Sequence, residues 1–436
     1  MPRWPSPDSA SKALYDRAVR VMPGGITRIQ PWQDPFPIYA DYGDGAYVVD
    51  VDGTRRVDFL NNFASLIHGH AHPKVVDAVR ERVGLGTAFT LPTVSEVDLA
   101  ECITSRAEGL EQVRFSNSGS EAVMCAIKAA RALTNRPAIV KVEGAYHGSY
   151  DYAEVSLDSS PRNWGDEPLS VGYSKGVPAG VLADVIVVPF NNVAVAERVI
   201  RANRDRIAAI MLDATPSYVG LISITPEYAA MARRLADEIG AILILDEVIS
   251  FRIHRGGAQT LYGIHPDLTV LGKIIGGGFP VGAVAGRAEM MKVFDHRYGK
   301  PLLPWSGTFT ANPVTMTAGK VTLDLLDQPA IDRINQLGVR IREGLNNVFA
   351  KNRWIGQATG VGSMFRILGH QRKIVDYRSC YHDDKESQRV QDLQAALIDE
   401  GFHLSSKGLG FLSTAMNEAE IDAFVDGVHN AINRVS

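Results

Sequence analysis

The sequence predicts an α/β protein: a large domain with a central, mostly parallel sheet, and a smaller α+β domain assembled from the N- and C-terminal segments. Three observations carry this expectation. Between residues 95 and 271 helical and strand patterns alternate, which is the signature of a parallel sheet built by crossover connections. Short uninterrupted apolar runs such as Ile242-Leu243-Ile244-Leu245 suit strands covered on both faces. After Pro313 the alternation stops, and long helical patterns flank one Gly-rich strand region at 360–367, which reads as a separate α+β lobe. On this reading the chain divides into an N-terminal segment 1–60, a large domain 61–315 and a small domain 316–436.

Leu14, Ala18, Val21 and Met22 recur at helical spacing within Asp8–Met22, and Pro23-Gly24-Gly25 ends that helix. The apolar runs 46–50 and 56–59 flank Asp52-Gly53, a hairpin signal in which glycine supplies the positive φ of the turn. The alternating region then reads as helix 95–107, strand 112–116, helix 119–134, strand 138–142, strand 184–189, helix 192–206 and strand 207–213. Helix 226–240, strand 241–246 and the apolar run 268–271 continue it. The stretch 148–183, rich in Ser, Pro, Gly and Asp, is long for a loop without function and is a candidate lid. Beyond Pro313 come one long helix and further helices at 329–350, 385–400 and 417–434.

Composition narrows the function classes. With 436 residues, 45% hydrophobic and 22% charged, the chain is an ordinary globular one with room for an enzyme. Lys plus Arg number 45 against 49 Asp plus Glu, a net charge of −4 with no basic run to track phosphates, so nucleic acid is not an expected partner. Cys102, Cys125 and Cys380 make neither a disulfide framework nor a paired metal motif, which fits a reducing compartment. Prolines occupy Met1–Pro7 where a signal peptide would need an apolar core, and no apolar stretch is long enough to span a bilayer. The expectation is a soluble, cytoplasmic protein without a membrane partner.

Three features carry chemistry. Ser116-Asn117-Ser118-Gly119-Ser120-Glu121 sits where a strand hands over to a helix, so backbone N–H groups and the positive helix end form an anion site; the same serines also serve as a helix cap. Asp246 ends a buried strand, at the edge where open α/β sheets bind ligands, and a carboxylate there keeps its charge best beside a cationic nitrogen such as a protonated pyridine. An isolated acid at that place is otherwise a solvent-facing loop residue. Lys273 follows the run Leu268–Leu271 and precedes Ile274-Ile275-Gly276-Gly277-Gly278; desolvation there lowers an amine's pKa and makes it a nucleophile, whereas a snorkelling lysine would be inert.

Together with Tyr146-His147-Gly148, Asp246-Glu247-Val248 and Leu271-Gly272-Lys273, these motifs resemble the class III pyridoxal-phosphate aminotransferases of fold type I over most of the chain. Pro23-Gly24-Gly25, Asp50–Gly53, Gly69-His70-Ala71-His72-Pro73 and Gly272–Gly278 are most similar to the glutamate-1-semialdehyde aminomutase and β-phenylalanine aminotransferase branches. The resemblance implies pyridoxal 5'-phosphate as cofactor, with Lys273 forming the internal aldimine and shuttling the proton, and Asp246 pairing with the pyridinium nitrogen. It further implies that Ser118, Gly119 and Ser120 hold the phosphate, that Tyr146 stacks on the ring and that Val248 packs its other face. Thr308, in Ser306–Pro313, would reach the phosphate of a neighbouring subunit, so the site implies a homodimer. A nicotinamide dehydrogenase, the other function a doubly wound pattern suggests, needs Gly-x-Gly-x-x-Gly after an early strand, and the chain has none.

Departures from the family pattern bear on substrate. The usual Glu-Pro reads Asp213-Ala214, the switching Glu is Tyr218, and no arginine occupies Gly410-Phe411-Leu412-Ser413-Thr414. Arg28 resembles the carboxylate-binding arginine of the nearer branches, and a guanidinium fork reads a carboxylate bidentately; a surface salt bridge is the alternative. Phe63 replaces the aminomutases' tryptophan, Gly408 replaces their gating Glu, and Lys407 is a second candidate contact to a carboxylate. The expected reaction is intermolecular transfer from a β-amino acid, or another amine bearing a nearby carboxylate, to a keto acceptor. The alternatives are intramolecular transfer of the aminomutase kind and an amine transaminase that ignores carboxylates. His68, His70 and His72 alternate as zinc ligands can, but no motif completes a ligand set, and no metal is expected. His68 is instead expected to line the side-chain pocket with Phe63 and Tyr218.

Overall fold

A computed structural model describes residues 3–30 and 32–435. Contacts divide the chain into two compact units: a smaller one from the segments up to Pro73, Arg333–Gln371 and from His382 onward, and a larger one from Lys74–Asp332 and Arg372–Tyr381.

The larger unit is organised by seven strands, β1 (Gln112–Ser116), β2 (Ala138–Val142), β3 (Val185–Val188), β4 (Ile207–Asp213), β5 (Ile242–Asp246), β6 (Leu268–Gly272) and β7 (Gly282–Gly286), in the order β1-β7-β6-β5-β4-β2-β3. The β6-β5-β4-β2-β3 neighbours pair parallel, and β7 runs antiparallel to both β1 and β6. The sheet is therefore mixed, with one reversed strand that the sequence reading does not predict. The physical reason is its composition, Gly-Ala-Val-Ala-Gly, which offers almost no apolar periodicity. Small residues are needed there: a Cβ on Gly282 would collide with the carbonyl oxygen of Ser118.

Helix α1 (Gly119–Thr134) buries Ala122, Val123, Cys125, Ala126, Ile127, Ala129 and Ala130. That face packs with Ile139, Ile244, Val270 and Val284 in one apolar core; its alanines allow close approach to the sheet. Asn135 ends the helix in the left-handed conformation that Asn tolerates better than most residues.

The stretch 148–183 contains two short helices, Asp151–Glu154 and Ala179–Ala183, and is buckled down by Arg372–Tyr381. Arg378 donates to the buried Glu143 carboxylate (2.8 Å) and to the carbonyls of Trp164, Gly165 and Asp166. The Tyr377 hydroxyl donates to the Ser159 carbonyl (2.7 Å), and its ring passes over Gly144, where any Cβ would collide.

In the smaller unit the expected hairpin is present as Tyr47–Asp50 and Arg55–Asp58, turning at Gly53 (φ +78°) with the Asp50 carboxylate accepting the N–H groups of Asp52 and Thr54. Ala40–Asp44 and Phe402–His403 complete that sheet; a second holds Gln357–Thr359, Met364–Leu368 and Leu409–Phe411. The core centres on Phe59, whose ring lies 4.4 Å from that of Phe424 and 5.9 Å from that of Phe365. Helices Asp384–Asp399 and Glu418–Val435 flank it.

Candidate active site

At the β1-to-α1 junction, Ser118 is the N-cap and its hydroxyl accepts the N–H of Glu121 (3.1 Å). The Ala122 N–H bonds the Ser118 carbonyl (3.0 Å), and the Glu121 carboxylate accepts the Asn117 N–H (2.9 Å). Helix geometry leaves the N–H groups of Gly119 and Ser120 without intrahelical acceptors, so the junction is both a capped helix and an anion cradle. The Ser120 hydroxyl accepts the Ser149 N–H (2.9 Å) and ties the following loop to the cradle. Gly148 (φ +87°) permits that approach, since a Cβ there would strike Ser120.

Asp246 lies at the carboxyl end of β5, its Oδ1 accepting the Val248 N–H (2.9 Å) and its Oδ2 facing His147 Nδ1 at 2.7 Å. Burial pushes the His147 pKa below the usual range, against the pull of Asp246, so the ring is neutral at pH 7 and donates from Nδ1. His147 Nε2 is buried with no hydrogen-bond partner among the described residues. Asp213 is the register partner of Asp246 on β4. Burial first, then the neighbouring Asp246 charge, holds the Asp213 carboxyl well above the usual carboxylate range; the Thr215 N–H and Lys273 oppose this. Two carboxyl groups side by side in a low dielectric do not both ionise cheaply, which is the physical reason for the rise at Asp213.

Lys273 follows β6 at φ +49°, a conformation rare for a residue with a Cβ and typical of strained functional positions. Burial lowers its amine pKa, while attraction to Asp246 and Asp213 opposes the shift. Val248 stands between two glycines: a Cβ on Gly119 would come within 3.2 Å of a Val248 methyl, and one on Gly272 within 3.3 Å. The Tyr146 and Tyr218 rings lie 6.3 Å apart at 50°. Thr308 is exposed, on a segment that with Ala88–Thr93 lines a cavity of about 640 Å³.

The remaining residues of interest lie in the smaller unit. Arg28 Nη1 donates to Asn62 Oδ1 (2.8 Å), with the guanidinium 5.9 Å from the centre of the Phe63 ring. Arg28, Asn62 and Phe63 line a cavity of about 440 Å³ whose walls combine Ile26, Ile38, Val48 and Leu60 with Asp50, Arg56, Asp58, His70 and His403. His68 Nδ1 meets Thr414 Oγ1 at 2.7 Å, so the segment that lacks an arginine holds a histidine–threonine pair. His70 is engaged by Asp58 (2.8 Å). Lys407 is exposed.

The structure thus gathers Asp246, Lys273, Val248, Tyr146, Tyr218 and the Ser118–Ser120 cradle in the larger unit, and Arg28, Phe63 and His68 in the smaller. Sequence reasoning missed the tie from His147 to Asp246, the raised Asp213 carboxyl beside it and Lys141. The signal for Lys141 is a lysine inside the apolar run Ala138–Val142. It is fully buried, and its Nζ donates to the carbonyls of Ala145 (3.0 Å) and Val155 (2.6 Å), which fixes the loop carrying Tyr146 and His147.

Burial brings the Lys141 pKa down from 10.5 to about 7, opposed by Glu143 and Glu154. Between those values the unfolded chain binds the proton that the folded chain has released, so this group's contribution to stability rises with pH across the window. The melting temperature of wild type relative to Lys141→Met is therefore expected to climb from pH 7 toward pH 10. A flat or falling difference in thermal-shift assays would contradict this.

A helix-end anion cradle, a histidine-backed acid at one strand end and a desolvated lysine at the next define a pyridoxal-phosphate enzyme of fold type I. The residues fit that cofactor: the outward N–H groups suit its phosphate, and glycine at 119 and 272 lets Val248 pack where a Cβ would come within 3.2–3.3 Å of its methyls, beside the strand ends that carry Asp246 and Lys273. Residues 28–431 match the family model for class III aminotransferases, and the chain belongs to that family, whose members use pyridoxal 5'-phosphate. It is a pyridoxal-phosphate-dependent transaminase.

An ω-transaminase from Sphaerobacter thermophilus is 47% identical with a TM-score of 0.96, covering 98% of each chain. A β-phenylalanine aminotransferase from Variovorax paradoxus is 32% identical with a TM-score of 0.87, over 98% of this chain and 94% of the other. A glutamate-1-semialdehyde 2,1-aminomutase from Methanothermobacter thermautotrophicus is 36% identical over 428 residues, 97% of this chain and 99% of its own length.

Proposed function

We propose that the enzyme moves an amino group from a β-amino acid to a keto acceptor, and that Arg28 reads the donor's carboxylate. The observation that carries this reading is Arg28 at a cavity of mixed lining, with apolar walls beside the paired Asp50–Arg56 and Asp58–His70, its guanidinium braced by Asn62 and near the Phe63 ring. Such a site suits a carboxylate next to an apolar substituent. Similarity to an enzyme named for β-phenylalanine supports it.

When bound, pyridoxal 5'-phosphate supplies the electron sink that lets a proton leave the donor's amine-bearing carbon. The Gly119 and Ser120 N–H groups would take its phosphate, with Ser118 fixing the helix end. The Asp246 carboxylate would take the N–H of its ring nitrogen, and His147 keeps that carboxylate aimed. Val248 and Tyr146 would bound the ring's faces; Phe63, His68 and Tyr218 are the residues proposed to meet the donor's side chain. Lys273 Nζ, its basicity lowered by burial, takes the proton from the donor carbon and delivers one to the acceptor's carbonyl carbon in the second half-reaction.

Arg28→Ala is expected to raise KM for carboxylate-bearing donors by about 10- to 150-fold, the equivalent of a charge-assisted contact worth roughly 1.5–3 kcal/mol. Arylalkyl amines without a carboxylate should change far less, and Arg28→Lys should recover only part, because a point charge lacks the planar fork. Equal, small losses for both donor types would sink the carboxylate reading in favour of an amine transaminase. Isomerisation of glutamate-1-semialdehyde without a second substrate would replace it with an aminomutase.

We further propose a homodimer in which Thr308 reaches the partner's cofactor phosphate. Support comes from the exposed apolar side chains Phe89, Leu91 and Val94, and from Leu302 and Phe309 near Thr308. Cofactor retention should then fall as protein is diluted, because ligand binding and association are linked. Sedimentation of a fully active monomer would end this idea. A cytoplasmic location is supported by three free cysteines and, among the described residues, by no helix long and apolar enough to cross a membrane.

A further inference from the structure

Asn61, Asn62, Phe63 and Ala64 all have positive φ, at +47°, +46°, +55° and +71°. Four successive residues in the left-handed region are unusual, since each residue with a Cβ costs roughly 1–2 kcal/mol there and single visits are the norm. Asn is the best suited of them, which explains the Asn-Asn start. The turn is nailed down from both sides. The Asp58 carboxylate accepts the N–H groups of Leu60 (2.8 Å) and Asn61 (3.0 Å), and Asn61 Nδ2 donates to the Phe411 carbonyl (2.8 Å).

What this strained turn presents is the Asn62 amide. Its Nδ2 donates to the Ser65 hydroxyl (3.0 Å), and that hydroxyl donates to the Asn62 carbonyl (3.0 Å). The amide is thereby oriented with Oδ1 outward, where it accepts from Arg28 Nη1 (2.8 Å). Arginine offers only donors, so the network runs one way and reserves the remaining N–H groups of the guanidinium for an anion.

We propose that Asn62 is a positioning residue for substrate specificity: the left-handed turn 61–64 exists to hold its amide oxygen against Arg28, so that the guanidinium meets a donor carboxylate already oriented. This rests on the reading of Arg28 given above. A pre-organised fork loses less side-chain freedom on binding than a mobile one, and the gain belongs only to donors that use it.

The test is a double-mutant cycle on the holoenzyme, with a β-amino acid and an arylalkyl amine lacking a carboxylate as donors. Asn62→Ala should raise KM for the β-amino acid about three- to tenfold, the expected size for an exposed hydrogen bond to a charged group, with kcat and the amine little changed. Asn62→Gly should match Asn62→Ala although glycine suits the left-handed backbone, because the amide is what matters. Asn62→Asp keeps the backbone preference and should be worse than either, since its carboxylate competes for the fork. In an Arg28→Ala background Asn62→Ala should add nothing.

Wild-type KM in Asn62→Gly would show that only the turn matters, and an undiminished Asn62→Ala effect without Arg28 would show a role independent of it; either overturns the proposal. A selective loss in Arg28→Ala with unchanged Asn62 variants removes the role of Asn62 and leaves the substrate reading standing. Should Arg28→Ala treat both donors alike, both readings fall together.

Discussion

Lys273→Ala is expected to yield a folded protein whose turnover is at least about 1,000-fold slower, because in the proposed mechanism one amine would both anchor the cofactor covalently and carry the proton, and general acid–base catalysis alone contributes about 10²–10⁴-fold. Folding should survive for a physical reason. Lysine and alanine both carry a Cβ, so the cost of φ +49° is unchanged, and the variant no longer buries an amine. The opposing loss is the attraction of that amine to Asp246 and Asp213, which should drive the Asp213 carboxyl still further up. Single-turnover rates with and without added small primary amines separate the roles: an external amine can restore part of the proton transfer, while the covalent anchor stays lost. Borohydride should fix pyridoxal phosphate onto wild type at Lys273, read by peptide mass spectrometry, and leave the variant unlabelled. Transamination within about tenfold of wild type would dismiss Lys273 from the reaction, since a loss that small is below what general acid–base catalysis supplies.

The parts of the fold that were legible are those whose ends carry their own chemistry. Strands 112–116, 138–142 and 207–213 and helix 119–134 have the predicted bounds because apolar runs stop at capping residues such as Ser118 and Asn135. Strand Gly282–Gly286 left no trace, since glycine and alanine carry no periodicity and its place in the sheet is decided by close backbone approach. Ala40–Asp44, largely exposed and irregular in register, and the two- and three-residue strands 402–403 and 409–411 exist only through their partners.

The site divides the same way. Lys273, Asp246 and the Ser118–Ser120 cradle stand at element junctions and could be read locally. The His147–Asp246 bond spans 99 residues, and the pairing of Asp213 with Asp246 is a matter of strand register, which no local pattern encodes. The two readings of the serines were not rivals: one hydroxyl caps the helix so that the next two N–H groups can face an anion.

Asp246→Asn is expected to keep the cofactor and lose about two to three orders of magnitude in rate, the consequence of withdrawing a charge that, in the proposed site, would hold a ring-nitrogen pKa up by about 2–3 units. The substitution also disturbs the supporting hydrogen bonds. Asp246 meets the Val248 N–H with one oxygen and His147 Nδ1 with the other, and an amide has a single oxygen to serve two donors. If Oδ1 keeps Val248, the amide nitrogen faces His147, whose Nδ1 must become an acceptor and whose proton must move to Nε2. That atom is buried without a partner among the described residues, so the tautomer change carries a cost of about 1–3 kcal/mol for an unsatisfied donor. The variant should therefore melt lower than wild type and, in its loaded form, be slow at every pH where the ring nitrogen has shed its proton. Its rate should recover as pH falls, because bulk protonation then replaces what the carboxylate supplied; in wild type this dependence should be absent near neutrality. A near wild-type rate with an unchanged pH profile would show that Asp246 serves only to hold His147 and Val248 in place.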